Sequence, residues 1–315
     1  MYLVTGGAGF VGSHIVERLL QMGKRVRVVD NFSTGRIENL RGFTKDIELL
    51  TGDIADQDVA RAAVRGVEVV FHQAALPSVP RSIEDPLATH RSNVTGTLQL
   101  LHASTGEGVR RFVYAASSSA YGDTPTLPKI ETMPPAPRSP YAAAKLSGEL
   151  YCKAFHHVHG LETVSLRYFN IFGPRQDPDS PYAAVIPRFI EALLSGKAPL
   201  IFGDGNQTRD FTYIDNAVQA NILAATQADA VGEVFNVAFG KRISLNRLLE
   251  IIQAETGVYL GATYASGRPG DIRDSLASVD KAREKLGYTP SVDVAEGVSR
   301  TVSWFGKTGS LRRAA

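Results

Sequence analysis

The chain has 315 residues, 43% of them apolar, enough for one large domain or two modest ones around a sizeable core. Lys plus Arg number 34 and Asp plus Glu 32, a net charge of +2, which argues against a broad polyanion-binding surface while leaving room for a local anion site. One cysteine, Cys152, excludes an internal disulfide, and no apolar run approaches the roughly 18 residues of a membrane span.

Tyr2–Thr5 reads as a strand, which leaves no room for a signal peptide and, with the lone thiol, suits a cytoplasmic protein. Val11, Ile15, Val16, Leu19 and Leu20 then recur at helical spacing. Arg25–Asp30, Val67–Phe71 and Arg111–Ala116 read as further strands, with helical stretches near Gln57–Val64, Leu87–Ser104 and Tyr141–His159. This alternation predicts an α/β fold, a Rossmann-type doubly wound parallel sheet, with ligands beyond the carboxyl ends of its strands. After about Leu166 the alternation loosens. Prolines and glycines interrupt Phe172–Ser180, and Gly203-Asp204-Gly205-Asn206 is a turn cluster. The expected division is a nucleotide-binding domain over residues 1–170, with later segments crossing back, and a smaller C-terminal substrate lobe over 171–315. Between Thr124 and Pro140 lie six prolines, which exclude regular helix or central strand. That stretch reads equally as a stiff wall over a site or as an ordinary surface loop.

Glycine makes up 29 residues, about 9% against a usual ~7%. Gly6, Gly9 and Gly12, spaced three apart, join the first strand to the first helix. The first allows a tight turn, the second lets a pyrophosphate approach the backbone, and the third lets helix and strand pack closely. The helix start, with Phe10 and Val11, offers unpaired N–H groups to phosphates. Asp30 ends the next strand, where an acid accepts from an adenosine ribose and repels a 2′-phosphate, so NAD is favoured over NADP. Asp53 in Gly52-Asp53-Ile54 is a candidate for the adenine, and His72-Gln73-Ala74-Ala75 ends a strand on the same rim. Asn31, Ser33, Thr34, Gly35, Ile54, Gln73, Ala74, Ala75, Asn93 and Tyr168 complete the expected cofactor wall.

Tyr141 and Lys145, four apart, share one face of a helix. A free tyrosine titrates near pH 10, and a nearby ammonium favours the phenolate. Ser117-Ser118-Ser119 follows a strand, and a hydroxyl there can donate to a substrate alkoxide or relay its proton to Tyr141.

These three elements, in this order, resemble an extended short-chain dehydrogenase/reductase of the NAD-dependent nucleotide-sugar epimerase/dehydratase group, over nearly the whole chain. Within the group, the motifs most resemble those of bacterial UDP-N-acetylglucosamine 4-epimerases and UDP-glucose 4-epimerases. They do so through Ser78-Val79-Pro80-Arg81-Ser82-Ile83, the serine run, Leu166-Arg167-Tyr168-Phe169-Asn170, and Tyr182-Ala183-Ala184-Val185-Ile186-Pro187. The resemblance implies Tyr141 as base, Lys145 on the nicotinamide ribose and Ser117 on the sugar hydroxyl, with Ser118 and Ser119 sharing that job. It implies a 4-keto sugar that turns over in the pocket while NAD stays bound. In the second half it implies Asn170 on a phosphate, Arg209 and Arg268 clamping the diphosphate, and Asp271 on the uridine ribose. Ala184, Val185, Ile201 and Phe202 would line the uracil. Ser78 would contact the sugar, and Ser275, where relatives carry a bulky residue, leaves room for a 2-N-acetyl group.

Dehydratases of the group carry Thr-Asp-Glu where this chain has three serines, so elimination is disfavoured. A UDP-glucuronate 4-epimerase is the nearest rival, because Arg81 can face a carboxylate; a non-catalytic NAD-binding scaffold is the rival of another class. His156-His157-Val158-His159 fans around one helix without a cysteine, so no metal site is expected. The expected partners are a UDP-sugar and a second copy of the chain, packed through a four-helix interface, with neither nucleic acid nor membrane.

Overall fold

The computed structural model describes residues 1–178, 184–267 and 272–308. Its first half alternates as the sequence predicts: β1 (Tyr2–Thr5), α1 (Phe10–Gln21), β2 (Val26–Asp30), β3 (Ile47–Thr51), α2 (Gln57–Val64) and β4 (Val69–His72). There follow α3 (Val79–Glu84), α4 (Pro86–His90), a wide helical turn at Arg91–Thr95, α5 (Gly96–Gly106), β5 (Arg111–Ser117), α6 (Pro140–His159) and β6 (Glu162–Tyr168). The second half holds β7 (Ile171–Phe172), α7 (Val185–Leu194), β8 (Leu200–Phe202), β9 (Thr208–Asp210), β10 (Thr212–Tyr213) and α8 (Ile214–Thr226). It continues with β11 (Val234–Val237), β12 (Arg242–Ser244), α9 (Leu245–Thr256), β13 (Thr263–Ala265), α10 (Asp280–Leu286) and α11 (Val294–Thr308).

Among the described residues, seven parallel strands form one sheet in the order β11-β6-β5-β4-β1-β2-β3. Each central strand sends alternate side chains to opposite faces. Leu3, Val70 and Phe112 join a core under α2 and α5, while Val4, Phe71 and Val113 join a larger core that continues into the second half. Both faces are therefore buried, as near-continuous apolar strands require. Strand order reverses between β1 and β4, and the crevice of such a sheet opens there.

Local signals set the ends of α6. The Ser139 hydroxyl accepts from the Ala142 N–H at 3.1 Å, Pro140 occupies the first turn, and Gly160 in the left-handed region stops the helix. Gly148 lets α6 lie against β5, since a methyl there would sit 2.3 Å from the Tyr114 hydroxyl. That hydroxyl donates to the Lys145 carbonyl at 3.1 Å, fixing the register of α6 on β5.

The proline-rich stretch lines neither of the two cavities described below. It is pinned to the outer part of the second half instead. Lys129 N–H donates to Leu276 O at 2.8 Å, Ser278 N–H to Lys129 O at 2.9 Å, and Ala136 N–H to Ala120 O at 2.8 Å. It buttresses the turn after β5 rather than roofing the cavity.

Candidate functional site

A cavity of about 920 Å3 runs along the carboxyl ends of the strands, and a second of about 260 Å3 adjoins it, sharing Asn170, Ile171 and Ala184. The first begins at the β1–α1 turn. Gly6 has φ +65°, and a methyl on it would lie 2.7 Å from the Ala74 nitrogen. Gly9 and the opening residues of α1 face the cavity with no side-chain cap on the helix. The third glycine has a different neighbour from the one expected. A methyl on Gly12 would meet the Gly6 carbonyl oxygen at 2.2 Å, so Gly12 packs on the turn itself. The glycine that packs on a strand is Gly7, 2.6 Å from Val28 Cγ1 by the same measure.

Asp30 closes this turn. Its carboxylate accepts from the Ala8 N–H at 2.9 Å and the Phe32 N–H at 2.8 Å. Burial raises its carboxyl above the usual range, and those two N–H groups oppose the rise. Its oxygens retain lone pairs for a ligand hydroxyl on the cavity side.

Behind the β4 end runs a fully assigned hydrogen-bond chain. The Thr97 hydroxyl donates to Asn93 O at 2.7 Å, so it accepts from His72 Nε2–H at 2.8 Å. His72 Nδ1 then accepts from the Thr5 hydroxyl at 2.7 Å, which accepts in turn from the Ala74 N–H at 3.1 Å. Burial drives His72 down to about 3, which keeps the imidazole neutral as this pattern demands. Asn93 does not line the cavity; its amide grips the Leu76 N–H at 2.8 Å and the Leu76 carbonyl at 3.1 Å. Asn93, expected on the cofactor wall, is buried and holds the loop after β4 through that amide. All the other residues expected on the cofactor wall line the large cavity. Gln73 and Tyr168 are tied there to Asn221 of α8, Tyr168 OH lying 3.1 Å from Gln73 Oε1 and Gln73 Nε2 3.2 Å from Asn221 Oδ1.

A strap was not foreseen. Arg175, Gln176 and Asp177 line the cavity opposite the glycine turn. The strap is held by His14 Nε2 to Pro174 O at 3.0 Å, by the Arg175–Glu17 ion pair, and by Arg36 to Asp177 at 2.6 Å. Arg175 has φ +67°, a strained backbone for a non-glycine residue. The partners lie 141 to 160 residues apart along the chain, which is why no local signal announces them.

At the far end, Ser117 terminates β5 and Tyr141 and Lys145 project from the first turns of α6. Ser117, Tyr141 and Lys145 all line the cavity. Burial pushes the phenol above its usual value, and Ser117 opposes this. Lys145 Nζ donates to Ala115 O at 2.9 Å, and burial lowers its ammonium to about 8. The lysine is thus anchored on β5. Ser118 lines the cavity and Ser119 does not. Ser78, with φ +110°, and Arg81 form the adjacent wall.

Asn170, Ala184, Val185, Ile201, Phe202 and Arg209, the described residues for which a nucleotide contact is expected, line the second cavity together. Asn170 Nδ2 donates to Asp210 O at 3.0 Å and Ser275 Oγ at 3.2 Å. Arg209 Nη1 donates to the carbonyls of Thr208 at 2.9 Å and Arg273 at 2.8 Å. Ser275 lines neither cavity; it stands behind Asn170. Arg268 and Asp271 lie outside the described residues. Among the described residues, no group of three or more His, Cys, Asp or Glu is placed to hold a metal, and no helix is long and apolar enough to cross a membrane.

Residues 2–238 match the model of the NAD dependent epimerase/dehydratase family. The chain belongs to this family. It is similar to a putative UDP-glucose 4-epimerase of Methanocaldococcus jannaschii, 40% identical over 97% of this chain and 98% of the relative. It is similar to the solved UDP-N-acetylglucosamine 4-epimerase of Methanobrevibacter ruminantium in complex with UDP-N-acetylmuramic acid, at 42% identity and TM-score 0.93, covering 98% of each chain. It is also similar to the UDP-glucuronic acid 4-epimerase of Bacillus cereus with UDP-glucuronic acid and NAD, at 31% identity and TM-score 0.91, covering 98% and 99%. Family membership makes NAD the cofactor, and the cradle fits it: three glycines leave no space for a methyl, and Asp30 stands where a 2′-phosphate would be repelled.

Proposed function

We propose that this chain interconverts UDP-sugars at C4, acting on the UDP-N-acetylglucosamine/N-acetylgalactosamine pair and on UDP-glucose/galactose through a 4-keto intermediate. The observation that carries this reading is the composition of the catalytic end of the large cavity. Among the described residues, every carboxylate lining it, Asp30, Asp53 and Asp177, belongs to the β2, β3 and strap side, while the positions beside Tyr141 are Ser117 and Ser118. Elimination of water from a sugar needs an acid and a base at the leaving hydroxyl and the adjacent carbon. Proton removal from a single hydroxyl needs only Tyr141.

Bound NAD supplies the acceptor and donor of hydride at C4. Tyr141 holds the proton taken from the C4 hydroxyl and returns it, and Ser117 donates a hydrogen bond at the same point. Lys145, anchored on Ala115 O, keeps two further protons for the ribose hydroxyls and a positive charge near the phenolate. Asn170, Arg209 and the apolar Val185, Ile201 and Phe202 hold the UDP, with Arg268 and Asp271 as further contacts. The small Ser275 lets the Asn170 side chain lie back against Asp210 O and Ser275 Oγ, which supports room for an N-acetylated sugar. A second reading, UDP-glucuronate 4-epimerisation, is supported by Arg81 on the same wall.

The test is to incubate the holoenzyme with each UDP-sugar and resolve the products. Turnover of both pairs supports the proposal; turnover of UDP-glucuronate alone replaces it with the second reading. Tyr141→Phe should lower turnover by at least about a thousandfold and keep bound NAD, consistent with loss of the general base. Full epimerisation by that variant would falsify the assigned base and point to another.

We also propose a homodimer through α6 and the helical stretch that begins at Pro86. Leu150, Ala154 and Val158 form an exposed stripe at i, i+4 and i+8 on α6, and Leu87 is 81% exposed. Leu101 belongs to the core and is excluded from that face. Sedimentation of the holoenzyme at one chain mass would remove this proposal.

A further inference from the structure

Ser119 lines neither cavity and carries no role in the mechanism above. Two of its groups nevertheless converge on one oxygen. Its N–H donates to Ser117 Oγ at 3.2 Å, and its own hydroxyl lies 2.8 Å from that oxygen. A serine oxygen has two lone pairs and one proton. If the Ser119 hydroxyl donates, both lone pairs of Ser117 are filled, and its proton is left for the cavity, whose wall Ser117 shares with Tyr141. In the opposite polarity, the Ser119 proton has no acceptor among the described residues, and Ser117 spends its proton on Ser119.

We propose that Ser119 is a positioning residue that turns the Ser117 proton onto the Tyr141 oxygen. The inference deepens the epimerase reading and rests on it. It separates two routes that three adjacent serines leave open. With its lone pairs filled, Ser117 cannot accept the sugar proton and pass it on. The C4 O–H bond therefore breaks as a new O–H bond forms directly on Tyr141 Oη, and Ser117 keeps its own proton throughout. NAD, when bound, would accept the hydride leaving C4, so the step balances. Ser118, which does face the cavity, is left for substrate contact.

The experiment compares wild type, Ser119→Ala and Ser119→Thr as holoenzymes over a range of pH with UDP-galactose. Without the Ser119 hydroxyl, Ser117 regains a lone pair and its proton is no longer directed. The acid limb of kcat/KM should move up by about one unit, giving roughly tenfold lower rates below it and convergence with wild type above it. KM should stay within about twofold, and Ser119→Thr should restore the wild-type profile. A loss confined to KM would make Ser119 a substrate contact, and a pH-independent loss of kcat would make it merely structural; either outcome overturns the proposal. An ultraviolet difference titration of the phenolate, with Tyr141→Phe as blank, reads the same shift without turnover. If wild type turns over no UDP-sugar yet Ser119→Ala still raises that midpoint, the epimerase reading fails and the positioning role stands.

Discussion

On the cofactor side of the cleft, Gly6, Gly7 and Gly12 meet backbone or a branched side chain at distances with no room for a methyl. On the nucleotide side, Val185, Ile201 and Arg209 reach a smaller cavity from three separate elements. The first wall is made of backbone, and the second of side chains brought together by tertiary structure. A backbone wall fails by steric intrusion, since its neighbours cannot rotate away. A side-chain wall fails by loss of contact, and more gradually. Gly12→Ala should therefore give the largest effect. Its methyl would lie 2.2 Å from the Gly6 carbonyl, and overpacking of this kind costs ~3 kcal/mol. Bound NAD in the purified protein should fall by about a hundredfold in affinity while UDP affinity stays within about twofold. Retention of wild-type NAD content would show that the turn yields, and would erase the contrast between the walls.

The two sides also titrate in opposite senses. Burial holds His72 down to about 3 and His14 down to about 4, while it pushes Asp210, behind the nucleotide wall, up to about 7. As pH falls below about 6.5, the opened chain takes up protons on the two histidines that the folded chain refuses, so cofactor-side stability is lost. Asp210 does the reverse. Between about 4 and 7 its folded form holds a proton that the opened form releases, so stability on that side falls as pH rises. From pH 7 to pH 5 each group contributes roughly 2 kcal/mol, at about 1.4 per unit, so the cofactor side loses about twice what Asp210 adds on the other. Hydrogen exchange, corrected for its chemical pH dependence, should show the Ala74 and Leu76 amides loosening toward pH 5. The Gly240 and Ala277 amides, which donate to Asp210, should tighten. Parallel changes on both sides would break the comparison.

The same difference explains what could be read from the sequence. The backbone wall is written in contiguous residues, because a turn needs its glycines at fixed spacing and a buried parallel strand needs an apolar run. Gly6, Gly9, Gly12, Asp30 and the Tyr141–Lys145 pair were legible for that reason. Gly7 stayed hidden inside the same motif, since only the fold shows which glycine meets Val28. Consecutive serines could not be told apart, because the turn after β5 sends Ser118 to the cavity and Ser119 back onto Ser117. The second half resisted because β7, β9 and β10 have two or three residues each, too short for any period to show. The strap resisted because its partners come from α1 and the loop after β2.

Arg209 gives the smallest and most discriminating expected effect. It was singled out in the sequence as a diphosphate clamp, and the structure sets it on the second cavity with one guanidinium nitrogen already committed to the Thr208 and Arg273 carbonyls. Those bonds fix the fork in place, so less rotamer entropy is lost when a phosphate arrives. A charge-assisted hydrogen bond contributes ~1.5–3 kcal/mol. The lower end applies here, because the group stays near solvent and its loss leaves Asn170 on the same wall. Arg209→Ala should weaken UDP binding by about tenfold, read by calorimetry with UDP alone, and leave bound NAD unchanged. Arg209→Lys should recover only part of the loss, since an ammonium cannot span both backbone carbonyls and a phosphate in one plane. Unchanged UDP affinity in Arg209→Ala would mean that Arg209 only ties the Arg273 segment down, and the nucleotide wall would then rest on its apolar residues and Asn170.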